Sequence, residues 1–274
     1  MPRTYRKKRT NKRTTRKRTV TRKRRTTAKS RAKFVKKVQR ISQERKVDHL
    51  PGAIMPAMGT DPSIVFQQDF QLDGTIKCYG WTPSFHMGTD RKGDHVRNKS
   101  TIQQTGVSER YNIGSHSGVP IIHRRIVFSV TVNLPDFELH DGDGPLRRFR
   151  KMDQISVADW WFQGTRGMDW IDPMKAQLDR HSLNVIYDRK VIIKPYNDYG
   201  TEITRNHWIP FKRKVMFDDK EQFDSTDWKE WPSANSHKLY IVDMLQSTAD
   251  TSGEPSGTHF GTFESNATHY WRES

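Results

Sequence analysis

The sequence has little cysteine and no long apolar run. Its single cysteine, Cys78, cannot form an intrachain disulfide, so the fold must be held by packing, and a disulfide-stapled secreted domain is excluded. No window approaches the roughly 18–20 apolar residues that a membrane span needs. No apolar stretch follows the charged N-terminus. We therefore expect neither membrane insertion nor a secretory signal peptide.

Acidic residues are missing from the first 43 positions. Residues 1–46 hold 22 of the 48 Lys and Arg residues and one of the 31 acidic residues, which makes a net charge of +21. Residues 47–274 hold the remaining 26 basic and 30 acidic residues, a net charge of −4. The chain is therefore predicted to consist of a basic arm, residues 1–46, and a nearly neutral body, residues 47–274. This asymmetry indicates a polyanionic partner for the arm.

The arm has the composition of a nucleic-acid-binding segment. Residues 1–30 are mostly Arg, Lys and Thr, so they are predicted to be disordered in isolation, while 28–43 could form a short basic helix anchored by Phe34. Phosphate neutralisation needs no sequence readout, and the basic runs also resemble nuclear localisation signals. The candidate nucleic-acid contacts are Arg3, Arg6, Lys7, Lys8, Arg9, Lys12, Arg13, Arg16, Lys17, Arg18, Arg22, Lys23, Arg24, Arg25, Lys29, Arg31, Lys33, Lys36, Lys37 and Arg40.

A second basic cluster lies in the body and follows the turn-rich residues 140–144. Two interpretations stay open: a surface that faces nucleic acid on the inside of an assembly, or a solvated loop that pairs with the acidic residues before it. The cluster consists of Arg147, Arg148, Arg150 and Lys151.

The body has the pattern of an all-β domain. Apolar residues alternate with others most clearly between Arg125 and Leu134, where the run ends at Pro135. One short helix is predicted at Met174–Arg180, with Asp172 as its N-cap. This pattern favours a β-sandwich of about eight strands, most simply a single jelly roll, with short helical insertions. The predicted strands are Ser63–Phe70, Thr75–Trp81, Val107–Ile113, Arg125–Leu134, Ile155–Gln163, Leu183–Lys194, Trp208–Phe217, Leu239–Ser247 and Gly261–Trp271.

Enzyme and metal signatures are poor. The segment 88–93 begins like a phosphate loop, but Asp94 and His95 stand where Lys and Ser or Thr are needed. His116 takes the nucleophile position of an elbow-like segment. A single cysteine excludes a thiolate zinc cluster, and the acids between 136 and 143 lack the calcium-loop spacing. We predict no catalytic residue, no cofactor and no metal.

The eight tryptophans include two close pairs, Trp160–Trp161 and Trp228 with Trp231. Most are expected in the core. Interfaces are also enriched in Trp, and Trp228 and Trp231, which lie among polar residues, are our candidates for a subunit interface.

Several segments resemble the capsid proteins of small circular single-stranded DNA viruses of the genomovirus and geminivirus type. The resemblance is carried by the basic arm, by a β-rich body with a central Arg-Arg strand, and by short segments that span about half of the chain. These segments are Tyr111–Ile113, Gly118–Pro120, His123–Phe128, Val185–Asp188 and Lys238–Asp243.

The resemblance implies a jelly roll that assembles into a small icosahedral shell. It also implies an inward-facing arm that packages single-stranded DNA, other copies of the chain and nuclear import receptors as partners, and a location in the virion and the host nucleus. Two alternatives stay open: a viral shuttle or movement protein that forms no shell, and a cellular basic nucleic-acid-binding protein. A nuclease is disfavoured by the missing metal-site pattern.

Overall fold

The structure of the protein is a computed structural model. The chain divides into two units, Met1–Glu44 and Arg45–Ser274. The last two residues of the predicted arm therefore belong to the second unit. The described residues are 31, 33–35, 37–38, 43–53, 67–70, 75–90, 93–116, 118–137, 139–141, 148–151, 155–197, 199–222, 225–247 and 261–273.

The described part of the second unit is built from strands, with two short 3-10 helices at Pro135–Phe137 and Asp159–Trp161. Numbered in chain order, the strands are β1 (Glu44–Ala53), β2 (Gln67–Phe70), β3 (Lys77–Trp81), β4 (Thr101–Ser115), β5 (Ile121–Val130), β6 (Leu139–Asp141), β7 (Arg148–Lys151), β8 (Asn184–Ile193), β9 (Thr201–Pro210), β10 (Lys214–Met216), β11 (Lys220–Gln222), β12 (Ser225–Asp227), β13 (Lys238–Ser247) and β14 (Gly261–Glu273).

The strands form two facing four-stranded sheets. The first sheet has the order β1-β14-β4-β9, and the second has the order β3-β13-β5-β8. Short strands extend the first sheet: β10 continues its β4 edge, β2 also pairs with β14, and β7 and β6 continue beyond β1. A chain that alternates between two sheets in these orders makes the two Greek keys of a jelly roll. The predicted fold class is confirmed.

Strand β5 shows why this sequence makes a covered sheet. Its odd-numbered residues face the first sheet, where Val127 packs with Leu239, Val107 and Ile209. Its even-numbered residues face the other way, and from Arg124 onward they are buried as well, because residues 155–183 cover that side of the second sheet. The predicted alternation is therefore confirmed, but both faces are core.

The predicted extension of this strand to Leu134 is wrong. Strand β5 ends at Val130, and Val132 is exposed. The side chain of Tyr240 replaces the missing strand partner: its hydroxyl accepts from the Leu134 N–H at 3.1 Å and donates to the Val132 carbonyl at 2.7 Å. A side chain thus satisfies backbone groups that a strand would otherwise pair.

Two more predictions fail in the segment that covers the second sheet. Residues 155–163 form no strand, and Met174–Arg180 forms no helix. Asp172 does cap a turn, since it accepts from the Met174 N–H at 2.8 Å, but the helix does not continue. The chain turns back instead, and the Asp179 N–H donates to the Trp161 carbonyl at 2.8 Å. Burial of Trp161, Met174 and Leu178 against the sheet outweighs the local helix signal.

Each of the other predicted strands overlaps a strand of the structure. The segment Trp208–Phe217 is divided between β9 and β10, because Pro210 ends β9 and cannot donate to a further ladder bond. Residues 63–66 lie outside the described residues. Strand β1 was not predicted, and it is one of the four principal strands of the first sheet.

Candidate nucleic-acid interface

Most of the arm residues predicted to contact nucleic acid lie outside the described residues. Of that set, Arg31, Lys33 and Lys37 are described, and all three are exposed on helical backbone. Phe34, the predicted apolar anchor of a short helix, is 67% exposed. The described residues from 31 to 38 therefore present basic and apolar side chains together.

Lys46 lies at the end of the predicted arm but is buried in the body. Its ammonium group donates to the carbonyls of Gly93 at 2.9 Å and Val96 at 3.0 Å, and it lies 3.4 Å from a carboxylate oxygen of Glu273. These bonds replace its hydration, so its charge is used inside the body. Within the arm, the last charge that is available to a polyanion is therefore that of Arg45.

The second basic cluster lies on a strand as far as it is described. Arg148, Arg150 and Lys151 belong to β7, and Arg147 lies outside the described residues. Strand β7 pairs with β1 in parallel, where Arg150 is opposite Gly52, and with β6 in antiparallel, where Arg148 is opposite Asp141. The cluster thus continues the first sheet beyond β1, and an acidic residue is its cross-strand neighbour.

The paired arginines of the resemblance are both buried. Arg124 makes two parallel hydrogen bonds to Asp188, at 2.9 and 2.8 Å, and also donates to the carbonyls of Pro173 and Ala176. A planar guanidinium suits this geometry. Arg124 therefore ties the covering segment to the second sheet, and its charge is unavailable to nucleic acid in this fold.

Arg125 points the other way, into the space between the sheets. It forms an ion pair with Glu109 of β4, lies 3.4 Å from Asp243 of β13, and lies with its guanidinium carbon 4.5 Å from the centre of the Tyr111 ring. His123 also contacts Asp243, at 2.7 Å. This buried network of opposite charges joins the two sheets.

His207 lies on β9 beside this network. Burial, followed by the positive charge of Arg125, lowers the pKa of His207 to about 4. Its ring lies 4.5 Å from the Tyr187 ring. The side chain is therefore neutral at physiological pH, since a second positive charge next to Arg125 would be costly.

A third buried guanidinium, that of Arg97, stands between two aromatic rings. It pairs with both carboxylate oxygens of Asp219 and lies 3.7 Å from the Phe217 ring centre and 5.0 Å from the Trp228 ring centre. Burial alone would raise the pKa of Asp219, but the bonds from Arg97 and from the Lys229 N–H lower it. Trp228 thus packs within the chain.

The surface tryptophans differ from the predicted pair. Trp228 and Trp231 are both half-buried, and Trp231 packs on Phe85 with ring centres 5.4 Å apart. The more exposed tryptophans are Trp208, at 48%, and Trp160, at 39%. Trp228 is covered by Arg97, a residue far away in the sequence, and a subunit interface at Trp228 and Trp231 stays a prediction.

No protein-family model matches this chain, and a comparison with curated proteins finds no significant match. Within the described residues, no helix is long and apolar enough to cross a membrane, and no group of three His, Cys, Asp or Glu residues could hold a metal ion.

Proposed function

We propose that this protein is a viral capsid protein that assembles into a small icosahedral shell and packages circular single-stranded DNA through its arm, residues 1–46. The observation that carries the proposal is the separation of charge: +21 in the arm and −4 in the rest of the chain. A cellular nucleic-acid-binding domain is usually basic over its folded part. In this body, by contrast, the buried arginines form internal ion pairs with carboxylates.

The jelly roll supports the same proposal, since this architecture is used for viral shells. If about sixty copies closed a shell, their arms would neutralise on the order of a thousand phosphates. This is the scale of a small viral genome. The arm's basic runs would also bind host import receptors, and the locations that we propose are the virion and the host nucleus.

Particle formation tests the proposal. Mutual repulsion of the arms opposes closure, and single-stranded DNA relieves it, so purified protein should form closed particles of one size when DNA is present at low salt. Sedimentation and negative-stain microscopy with and without DNA measure this. Protein that binds DNA but stays monomeric or aggregates irregularly under all such conditions would favour a shuttle or movement protein that forms no shell.

A further inference from the structure

The outward face of the first sheet carries two adjoining grooves. On β14 the residues Asn266, Thr268, Tyr270 and Arg272 alternate with buried ones and point away from the second sheet. One groove, of about 380 Å³, is lined by Arg45, Thr105, Trp208, Tyr270 and Arg272 among others, and the second, of about 490 Å³, by His49, Arg110, Asn266 and Thr268 among others. Both share Ser108, so they form one continuous depression across β1, β14, β4 and β9.

An aromatic pair forms one wall of this depression. The rings of Trp208 and Tyr270 have centres 5.7 Å apart, and the two side chains are 48% and 36% exposed. Gly106 lies between them in the sheet, opposite Tyr270 and Pro210. A Cβ at Gly106 would come within 2.8 Å of the Trp208 ring, and the φ of +155° also favours glycine. Gly106 therefore lets Trp208 lie across the strand.

The arginines of this face differ from those of the interior. Arg45, Arg110 and Arg272 form no ion pair with the part of the chain that the structure describes, and no described residue that lines either groove is acidic. Arg97, Arg124 and Arg125, by contrast, are each matched by a carboxylate. In a body with a net charge of −4, two adjoining grooves whose lining contains three arginines and no carboxylate attract an anion.

We propose that this face is a second nucleic-acid site, at which an unpaired base stacks on Trp208 and Tyr270 while Arg45, Arg272 and Arg110 contact the phosphates on either side. Exposed aromatic rings beside a basic groove are how proteins hold single strands without reading sequence. A duplex presents no free base face to such rings. This site rests on the proposed DNA-binding function.

Binding of oligonucleotides to the full-length protein tests the site. The probes are labelled oligothymidine of about twelve nucleotides, an abasic strand of the same length and a duplex, at a salt concentration high enough to weaken the arm's contribution. The unchanged protein should prefer oligothymidine over the abasic strand. Trp208→Ala should lower the affinity for oligothymidine about tenfold and leave the other two affinities unchanged, because only the stack is lost.

Matched variants separate stacking from a loss of structure. Trp208→Phe keeps an aromatic surface and should retain most of the preference, whereas Tyr270→Ala should reduce it. Tyr196→Ala removes a tyrosine that is 95% exposed and lines neither groove, so it should have no effect on the base preference. A parallel series with oligouridine shows which backbone the site takes, and loss of the base preference with either backbone supports the site.

A base preference that survives in Trp208→Ala would overturn this inference and leave the arm's role intact. If the unchanged protein bound neither single strand even at low salt, where the arm contributes fully, the proposed function itself would fail. The two failures are therefore distinguishable in one set of titrations.

Discussion

At the scale of single residues, the body carries positive charge into its interior and matches it there. Arg97, Arg124 and Arg125 are at most 5% exposed, and each pairs with a carboxylate. Taking a guanidinium out of water is costly, and only a complete set of partners compensates for it. The charge of these three arginines is therefore not available to DNA.

Substitution of Arg125 tests how much the buried network contributes. Arg125→Gln leaves Glu109 and Asp243 buried without their cation, so we expect the free energy of unfolding to fall by about 3 kcal/mol. Arg110→Gln is the matched control, because Arg110 lies on the next position of β4 from Glu109 but is exposed and unpaired; its effect should stay within about 0.5 kcal/mol. Urea denaturation measures both, and equal losses would contradict the structural role of the network.

Sequence reasoning at this scale found the arginines but not their roles. His123, Arg124 and Arg125 stood out as a basic strand within the resemblance, and the alternation of β5 predicts opposite directions for the two arginines. It does not reveal that Asp188 pairs with Arg124 and Glu109 with Arg125, because those partners come from strands that are distant in the sequence.

At the scale of elements, residues 155–183 act as a cover for the second sheet. Trp161, Phe162, Trp170, Met174 and Leu178 pack on the outer side of β5 and β13, with little regular secondary structure. Their burial is set by the apolar face that the sheet offers. This explains why local signals for a strand and a helix both failed in this segment.

Adjacent tryptophans allow a direct test of the cover. Trp161 is 2% exposed and contacts Phe128 and Phe137, whereas Trp160 is 39% exposed. Trp161→Ala should lower the free energy of unfolding by about 3–5 kcal/mol, because it opens a cavity under the cover. Trp160→Ala should cost far less in the same denaturation experiment. Similar losses for both would show that the cover does not depend on this packing.

Strand β1 shows the opposite limit of sequence reasoning. Its inward residues are Lys46, Asp48 and Leu50, so the face that is buried does not look apolar. A search for alternating hydrophobic residues misses such a strand. The polar partners that permit its burial, such as Glu273, lie at the other end of the chain.

At the scale of the whole molecule, charge is divided between a polycation and a nearly neutral body. Deletion of residues 1–43 removes 20 of the 22 basic residues of the arm and keeps β1 complete, so the body should remain folded by circular dichroism. We expect the intact protein's affinity for single-stranded DNA to fall about a thousandfold between 50 and 200 mM salt, because many counterions are released together. The truncated protein should bind weakly and with a much shallower salt dependence.

Fluorescence anisotropy across salt measures this difference between the two proteins. A truncated body that bound DNA as tightly as the intact chain at equal salt would show that the arm is not the main binding element. The proposed site on the outward face of the first sheet would then have to account for the affinity.

The sequence alone determined the charge division and the all-β class, because both follow from composition and from the alternation of neighbouring residues. It also identified most strands, since β-branched and aromatic residues repeat with a period of two along them. The tertiary structure alone decided which side chains meet. Trp208 and Tyr270 are 62 positions apart and become neighbours only because β9 and β14 both pair with β4. Strand order is a long-range property, so buried ion pairs and the aromatic wall of the outward face could not be read from local pattern.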